Sequence, residues 1–137
     1  MSMEDLFRCL DVSATGLKAE RVRMDVVAQN IANAGVTRTA SGGPYRRREV
    51  LFESLVGRDG KPAGVRVKAV VPDASPFIEV VDPGHPDADA NGVVRYPNVK
   101  VPFEMVDMIT AARAYEANLN LIKVFREMVE RAIQMGR

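Results

Sequence analysis

Apolar residues recur at every seventh position near both ends of the chain. Near the start, the row comprises Met3, Leu10, Leu17, Met24 and Ile31. Near the end, two rows three residues apart comprise Met105, Ala112, Leu119 and Ile133, interrupted once by the charged Arg126, and Met108, Tyr115, Ile122 and Val129. A seven-residue recurrence keeps one side chain per two helical turns on one face, as in helices that pack along a seam. The pattern therefore predicts a long helix at each end.

Local signals place the ends of these helices near residues 3 and 34, and near residues 102 and 135. Ser2 and Asp5 have the spacing of a capping box, and Gly35 suits the left-handed residue that often ends a helix. Pro102 suits the first position of the second helix. At about 1.5 Å per residue, each helix would be roughly 45–50 Å long.

The middle of the chain has a different character, because turn signals such as Asp59-Gly60 and Asn91-Gly92 interrupt short apolar runs. We predict strands at Tyr45–Phe52, Val65–Val71, Phe77–Val81 and Val93–Tyr96. The chain thus divides into a helix (residues 1–35), a β and loop insert (36–101) and a second helix (102–137). The fold class predicted is mainly α with a small β insert, the terminal helices pairing in the manner of a coiled coil.

The seams are long compared with the insert that would have to cover them. A pair of antiparallel helices leaves much of each flank in water, so helices from neighbouring chains would complete the burial. The residues predicted to form this assembly interface are Leu10, Leu17, Met24, Ile31, Met105, Met108, Ala112, Tyr115, Leu119, Ile122, Val129 and Ile133. The alternative is a monomer whose two helices pair and rest on the insert.

Composition argues against most other functional classes. The net charge is +1 and Trp is absent, which disfavours nucleic acid as a partner. Cys9 is the single cysteine, so an internal disulfide is impossible. His85, Asp87 and Asp89 suggest a metal-dependent hydrolase, but a zinc site needs more ligands. We therefore predict no enzyme activity, no metal and no cofactor.

Polar residues offer candidate contacts between subunits. We interpret Arg46, Arg47 and Arg48 as solvated side chains alternating along a strand, the alternatives being an anion site or pairing with acids of a neighbouring subunit. Asn is a poor residue inside a helix. The asparagine side chains there therefore either lie in solvent or contact a neighbouring subunit. The candidates for polar contacts between subunits are Asn30, Asn33, Arg46, Arg47, Arg48, Asp87, Asp89 and Asn118.

The first ten residues carry Glu4 and Asp5 and lack the apolar core of a cleaved secretory leader. No stretch approaches the roughly 18 apolar residues of a membrane span, so we expect no direct membrane insertion. A cytoplasmic coiled-coil adaptor or regulator remains an alternative at this point.

Several runs resemble the bacterial flagellar basal-body rod and hook proteins. Residues 16–21 (GLKAER) and 29–34 (QNIANA) are similar to the N-terminal signature of that family. Residues 42–48 (GGPYRRR), 83–89 (PGHPDAD), 104–108 (EMVDM) and 113–118 (RAYEAN) resemble its proximal-rod members. Gly35-Val36 and Val93 depart from the family pattern, outside the helical seams.

The resemblance implies a structural subunit of the basal-body rod, which crosses the periplasm, transmits torque and lines the export channel. Its expected partners are other copies, other rod proteins, the rotor membrane ring with its rod adaptor, and the flagellar type III export apparatus. Members are made in the cytoplasm and exported without a cleaved signal peptide. Their terminal helices form the rod core, and the middle segment faces outward.

Overall fold

A computed structural model describes residues 2–137 of the chain. The elements are α1 (Met3–Ala32), β1 (Arg48–Val56), β2 (Pro62–Pro72), β3 (Ile78–Val81), β4 (Val93–Tyr96) and α2 (Val101–Met135). Long helices at both ends with a small antiparallel β region between them confirm the predicted fold class at this level.

The first helix begins as predicted. The Ser2 hydroxyl accepts a hydrogen bond from the Asp5 N–H, and the Asp5 carboxylate accepts one from the Ser2 N–H, both at 3.2 Å. The prediction for its end was wrong, because Gly35 does not take a left-handed conformation. Asn33 ends the helix instead, and its side-chain amide donates to the Gln29 carbonyl at 2.8 Å. This bond satisfies one of the carbonyls exposed at the helix end.

The second helix begins one residue before the predicted Pro102, at Val101. Pro102 lies in the first turn, where its missing N–H costs nothing. The cap residue, Lys100, makes no side-chain hydrogen bond to the helix start. The start of α2 therefore lacks the local cap that α1 has.

Two separate hairpins form the β region. β1 pairs antiparallel with β2, with Val50 opposite Val70 and irregularities after Leu51 and Leu55. β3 pairs antiparallel with β4, with Val80 opposite Val94. All four predicted strands exist, but the first one begins later than predicted. Residues 45–47 are not in a strand, because the Tyr45 N–H donates to Val36 and the Arg47 N–H to Asn98.

The two helices pack antiparallel, and contacts along their length define the register. The Phe7 and Phe125 rings lie edge to face with centroids 6.1 Å apart. A Cβ on Gly16 would lie 3.0 Å from the Asn118 amide. Further along, Arg23 and Asp107 approach to 3.7 Å. The start of α1 thus lies opposite the region near Glu130, and the exposed last turns of α2 extend past it.

The β1–β2 hairpin lies along a second side of α1. Near its tip, Arg8 pairs with Asp59 at 2.6 Å. Further along, the Thr15 hydroxyl accepts a hydrogen bond from the Val65 N–H at 3.1 Å. Buried apolar side chains are few in the described chain: Ala19, Val26, Val27, Val94, Pro97, Val99 and Ala111. A core this small leaves much apolar surface in water.

Candidate assembly surface

One face of α2 carries apolar and small residues that α1 does not cover. They follow one another at intervals of three or four residues, which keeps them on one side of the helix. We call this set the outer stripe: Phe103, Val106, Thr110, Ala114, Ala117, Leu121, Val124, Met128, Ala132 and Met135. Every member except Ala114 is exposed. No charged residue interrupts the set over the length of the helix.

Large side chains of the outer stripe are exposed to an unusual degree. Phe103 is 67 % exposed, Val124 54 % and Met128 56 %. Single exposed apolar residues are ordinary, whereas a contiguous apolar surface of this kind marks a contact site. Small residues occupy the centre of the stripe at Thr110, Ala114 and Ala117, and larger ones flank them. This profile admits a second helix at close range.

The residues predicted to form the assembly interface lie mostly elsewhere. On α1, Leu10, Leu17, Met24 and Ile31 are half-buried. On α2, the half-buried members share the side of the helix that carries the buried Glu104 and Ala111: Met108, Ala112, Tyr115, Leu119, Ile122 and Val129. Met105 and Ile133 are exposed, at 53 % and 57 %. The predicted α2 residues thus lie mostly on or beside the side that meets α1, and the outer stripe was not among them; contact of the predicted residues with neighbouring chains stays a prediction.

The missed stripe has a signal in the sequence. From Phe103 to Met135, uncharged residues recur at spacings of three and four, as they do in the predicted rows. Two apolar faces on one helix predict two packing partners. Counting both faces would have separated the side that meets α1 from the side that remains exposed.

A buried polar cluster joins the end of α1 to the start of α2. We call it the polar junction: Asn30, Tyr45, Arg47, Asn98 and Glu104. Asn30 is fully buried, and Glu104 is 1 % exposed. A buried carboxylate is tolerated only when it is paired and hydrogen-bonded, which is the arrangement here.

The Asn30 side chain uses its full hydrogen-bonding capacity within the chain. Its oxygen accepts from the Tyr45 hydroxyl at 2.9 Å and from the Arg48 N–H at 3.0 Å. Its amide group donates to the Arg48 carbonyl at 2.9 Å and to Glu104 at 3.2 Å. An amide with all four positions used has none left for a neighbouring subunit. All four positions of Asn30 are thus used within the chain, and its inter-subunit contact stays a prediction.

The guanidinium of Arg47 lies among four carboxylates. Its Nε donates to Glu104, and its Nη1 lies 2.6 Å from Glu49 and 3.2 Å from Asp73. Its Nη2 lies 3.6 Å from Asp107. Burial by itself lowers the pKa of Arg47, but the hydrogen bond and charge of Glu104, with Glu49 and Asp73, outweigh burial and raise it. Arg47 is thus firmly charged, and our interpretation of it as a solvated strand residue was wrong.

The contacts at and around the polar junction also shift the pKa values of Asp73 and Tyr45. Hydrogen bonds from the Ser75 hydroxyl and N–H lower the pKa of Asp73, and Arg47 lowers it further. Burial raises the pKa of the Tyr45 hydroxyl, with a smaller contribution from the Glu104 charge. Asn98 closes the cluster, because its oxygen accepts from the Arg47 N–H at 2.8 Å.

The remaining arginines and acids of the prediction are mostly engaged within the chain. Arg46 donates to the carbonyls of Asp73 and Ser75 and lies over the Phe77 ring, so its solvated interpretation was also wrong. Arg48 is exposed. Asp87 pairs with Arg38 at 2.8 Å, and Asp89 accepts from the backbone of Asn91 and Val93.

The two remaining amides behave as helix side chains do. Asn33 caps α1, as described above. The Asn118 amide donates to the Ala114 carbonyl at 2.9 Å and faces Gly16 across the helix pair. Within residues 2–137, the side-chain oxygens of Asn33 and Asn118 accept no hydrogen bond, and Asn33 lies partly in solvent.

The part of the chain that the structure describes, residues 2–137, also bears on metal and membrane binding. Within that range, no three His, Cys, Asp or Glu side chains are grouped so that they could hold a metal ion. His85 accepts the Asp87 N–H at Nδ1 and lies edge to face with Tyr96. Neither described helix is long and apolar enough to cross a membrane.

Comparison with known proteins places this architecture in a class. Residues 10–38 match the family described as "Flagella basal body rod protein", and residues 90–135 match "Flagellar basal body rod FlgEFG protein C-terminal". The matched segments cover most of α1 and the whole of α2. The class defined by the fold and these matches is the flagellar basal-body rod proteins.

Full-length relatives refine this class. The chain is 41 % identical to a flagellar basal-body rod protein FlgC of Borreliella burgdorferi, over 93 % of this chain and 95 % of the relative. It is 38 % identical to the FlgC of Bacillus subtilis, over 96 % and 98 %, and 36 % identical to that of Yersinia enterocolitica, over the whole of both chains. The chain belongs to the FlgC family of basal-body rod proteins.

Proposed function

We propose that this chain is a structural subunit of the flagellar basal-body rod and that it joins its neighbours along the outer stripe of α2. The exposed stripe is the observation that carries the proposal. Burying apolar surface from water is the main driving force for association of this kind. Membership of the FlgC family supports the rod as the place where that burial occurs.

The partner that fits the outer stripe is a helix. The small residues at its centre let a second helix approach closely, and the larger residues on either side then interdigitate with it. Other copies of this chain and other rod proteins are the proposed source of that helix. The half-buried flanks of the pair, including Leu17 and Leu119, supply further packing in the manner of a coiled coil.

We further propose that the assembled rod transmits torque through these parallel contacts and lines the export channel. The rotor membrane ring and its rod adaptor are the proposed neighbours at one end, and the type III export apparatus is the proposed route of export. The insert between residues 36 and 101 is proposed to face outward. These roles require no catalytic group or cofactor.

The alternative of a cytoplasmic coiled-coil adaptor or regulator is not favoured. An adaptor would be expected to match proteins of that kind, whereas the relatives above are basal-body rod proteins over nearly their full length. A metal-dependent hydrolase at His85 lacks support, because the His85 Nδ1 is occupied by a backbone hydrogen bond.

A substitution in the outer stripe tests the proposal. Val124→Asp places a charge on a side chain that is 54 % exposed, so the isolated chain should still fold. In an assembly, the same carboxylate would be buried without a partner, which costs several kcal/mol (roughly 2–5) at each contact. We expect loss of rod assembly and motility when this variant replaces the native chain in its own bacterium.

The matched control is Asn120→Asp, which adds the same charge on an exposed position of α2 outside the stripe. It should retain motility. Leu119→Asp is less informative, because Leu119 is half-buried and the variant would also destabilise the helix pair itself. Normal motility of the Val124→Asp strain, with the protein present in its basal bodies, would refute the stripe as the interface.

A further inference from the structure

The two helix ends that meet at the polar junction differ from the outer end of α1. The start of α1 has a complete capping box, formed by Ser2 and Asp5. The start of α2 has no side-chain cap, and the last turn of α1 contains no basic residue. A local side-chain cap is therefore absent at the start of α2, and at the end of α1 it consists of the Asn33 amide alone.

Contacts from the middle of the chain take their place. Arg47, which precedes β1, bonds Glu104 in α2, and Glu104 accepts from Asn30 in α1. The backbone of Arg47 is held as well. Its N–H donates to the Asn98 side-chain oxygen, and its carbonyl accepts from the Asp73 N–H. The two helix ends thus share one set of partners, and neither end can lose them without affecting the other.

Loss of Arg47 would leave an uncompensated carboxylate at the centre of this cluster. Glu104 is 1 % exposed, so it could regain water only if the first turns of α2 opened. Those turns also carry Phe103 and Val106, the first two large residues of the outer stripe. If the polar junction opens, the first turns of α2 open with it, and Phe103 and Val106 are then no longer held on a helix.

We propose that Arg47 acts as a conformational lock: its docking against Glu104 orders the end of α1 and the start of α2 together and thereby presents the first part of the outer stripe. The link to assembly rests on the proposed function, whereas the lock itself is a property of the isolated chain. The two can fail separately, because exchange of backbone amides in the isolated chain reports the lock and motility reports the stripe.

Hydrogen–deuterium exchange of the full chain with Arg47→Met tests the lock. We expect amides of residues 27–33 and 101–108 to exchange faster by about tenfold or more, and both segments to change together, since each loses the same partners. Residues 115–122, in the middle of α2, should change less than about twofold. The control is Arg66→Met, which removes an exposed arginine that pairs with Glu53 on the same hairpin, and which should change neither segment.

The lock is refuted if Arg47→Met leaves residues 101–108 as protected as in the native chain, or if only one of the two segments opens. If Arg47→Met fails to fold, exchange of the native chain in low concentrations of urea decides the matter. The two segments must then show the same opening free energy and the same urea dependence. Separate openings of the two helix ends would equally refute the proposal.

Discussion

Two buried polar residues, Asn30 and Glu104, connect several segments of the chain through their hydrogen bonds. Asn30 and Glu104 are both fully buried and both polar, in a chain with few fully buried apolar side chains. Buried polar groups contribute little net stability when satisfied but are expensive when a partner is removed. The consequence is that substitutions at the polar junction should be more damaging than their chemistry alone suggests.

Asn30→Ala is the direct test of this expectation. It removes four hydrogen bonds at once and leaves the Tyr45 hydroxyl, the Arg48 backbone and one Glu104 oxygen without their partner. We expect the free energy of unfolding to fall by about 2–4 kcal/mol, because the groups left behind remain partly buried. Urea unfolding followed by circular dichroism measures the change.

Asn120→Ala provides the reference for that measurement, because Asn120 is exposed in the same protein and Ala is the better helix former. Its effect should lie within about 0.5 kcal/mol of zero. Equal effects of the two substitutions would show that the junction contributes nothing beyond an ordinary surface amide.

At the scale of elements, the contact between the β1–β2 hairpin and α1 depends on one glycine. Gly64 has φ +131°, and a Cβ at this position would lie 2.3 Å from the Thr15 hydroxyl oxygen. Both the backbone conformation and the close approach of the helix exclude a side chain. The hairpin therefore lies against α1 only while this position remains bare.

We expect Gly64→Ala to lower the free energy of unfolding by about 2 kcal/mol or more, through steric overlap with Thr15 and an unfavourable backbone conformation. The control is Gly35→Ala, where the added Cβ meets no atom within 4 Å and φ is not positive. That control should be neutral or stabilising by up to about 1 kcal/mol. Thermal unfolding of both variants gives the comparison, and an undisturbed Gly64→Ala would contradict the described hairpin contact.

The presence of the two helices was predictable from local patterns in the sequence, whereas the contacts between distant segments were not. The capping box and the seven-residue rows fixed the presence of α1 and α2, since both signals lie within the helices themselves. Tyr45, Arg47 and Glu104 carry no such signal, because Tyr45 bonds Asn30, 15 residues away, and Arg47 bonds Glu104, 57 residues away. Arg46 and Arg47 read as solvated for the same reason: the acids and carbonyls that bind them come from other segments.

The outer stripe was missed for a different reason. Its spacing was visible, but a single long helix offers several apolar rows, and only the packed structure identifies which row α1 covers.

For the whole molecule, acid should be destabilising. Asp5, Asp59 and Asp73 each have a lowered pKa, caused first by hydrogen bonds from Ser2, from the Lys61 N–H and from Ser75, respectively. A carboxyl group whose pKa is lower in the folded chain than in the unfolded one stabilises the fold above its unfolded pKa. That contribution is lost as the pH falls below the ordinary value of 3.8.

We therefore expect the urea midpoint to be nearly constant around neutral pH and to fall steeply below about pH 4. Asp73→Asn should flatten that fall, because the variant has no carboxyl group to titrate beside Arg47 and Ser75. Urea titrations across the acid range measure both curves. A midpoint that rises on acidification would contradict the assigned directions.

The polar junction also bears on how the molecule responds to twisting. Apolar contacts are nondirectional and allow helices to slide and rotate over one another, whereas hydrogen bonds weaken steeply as their angle departs from linear. Bonds among Asn30 of α1, Glu104 of α2 and Arg47 of the loop before β1 converge at this point. The angle between these parts thus has a defined resting value, and torsional strain is resisted at the point where both helices meet.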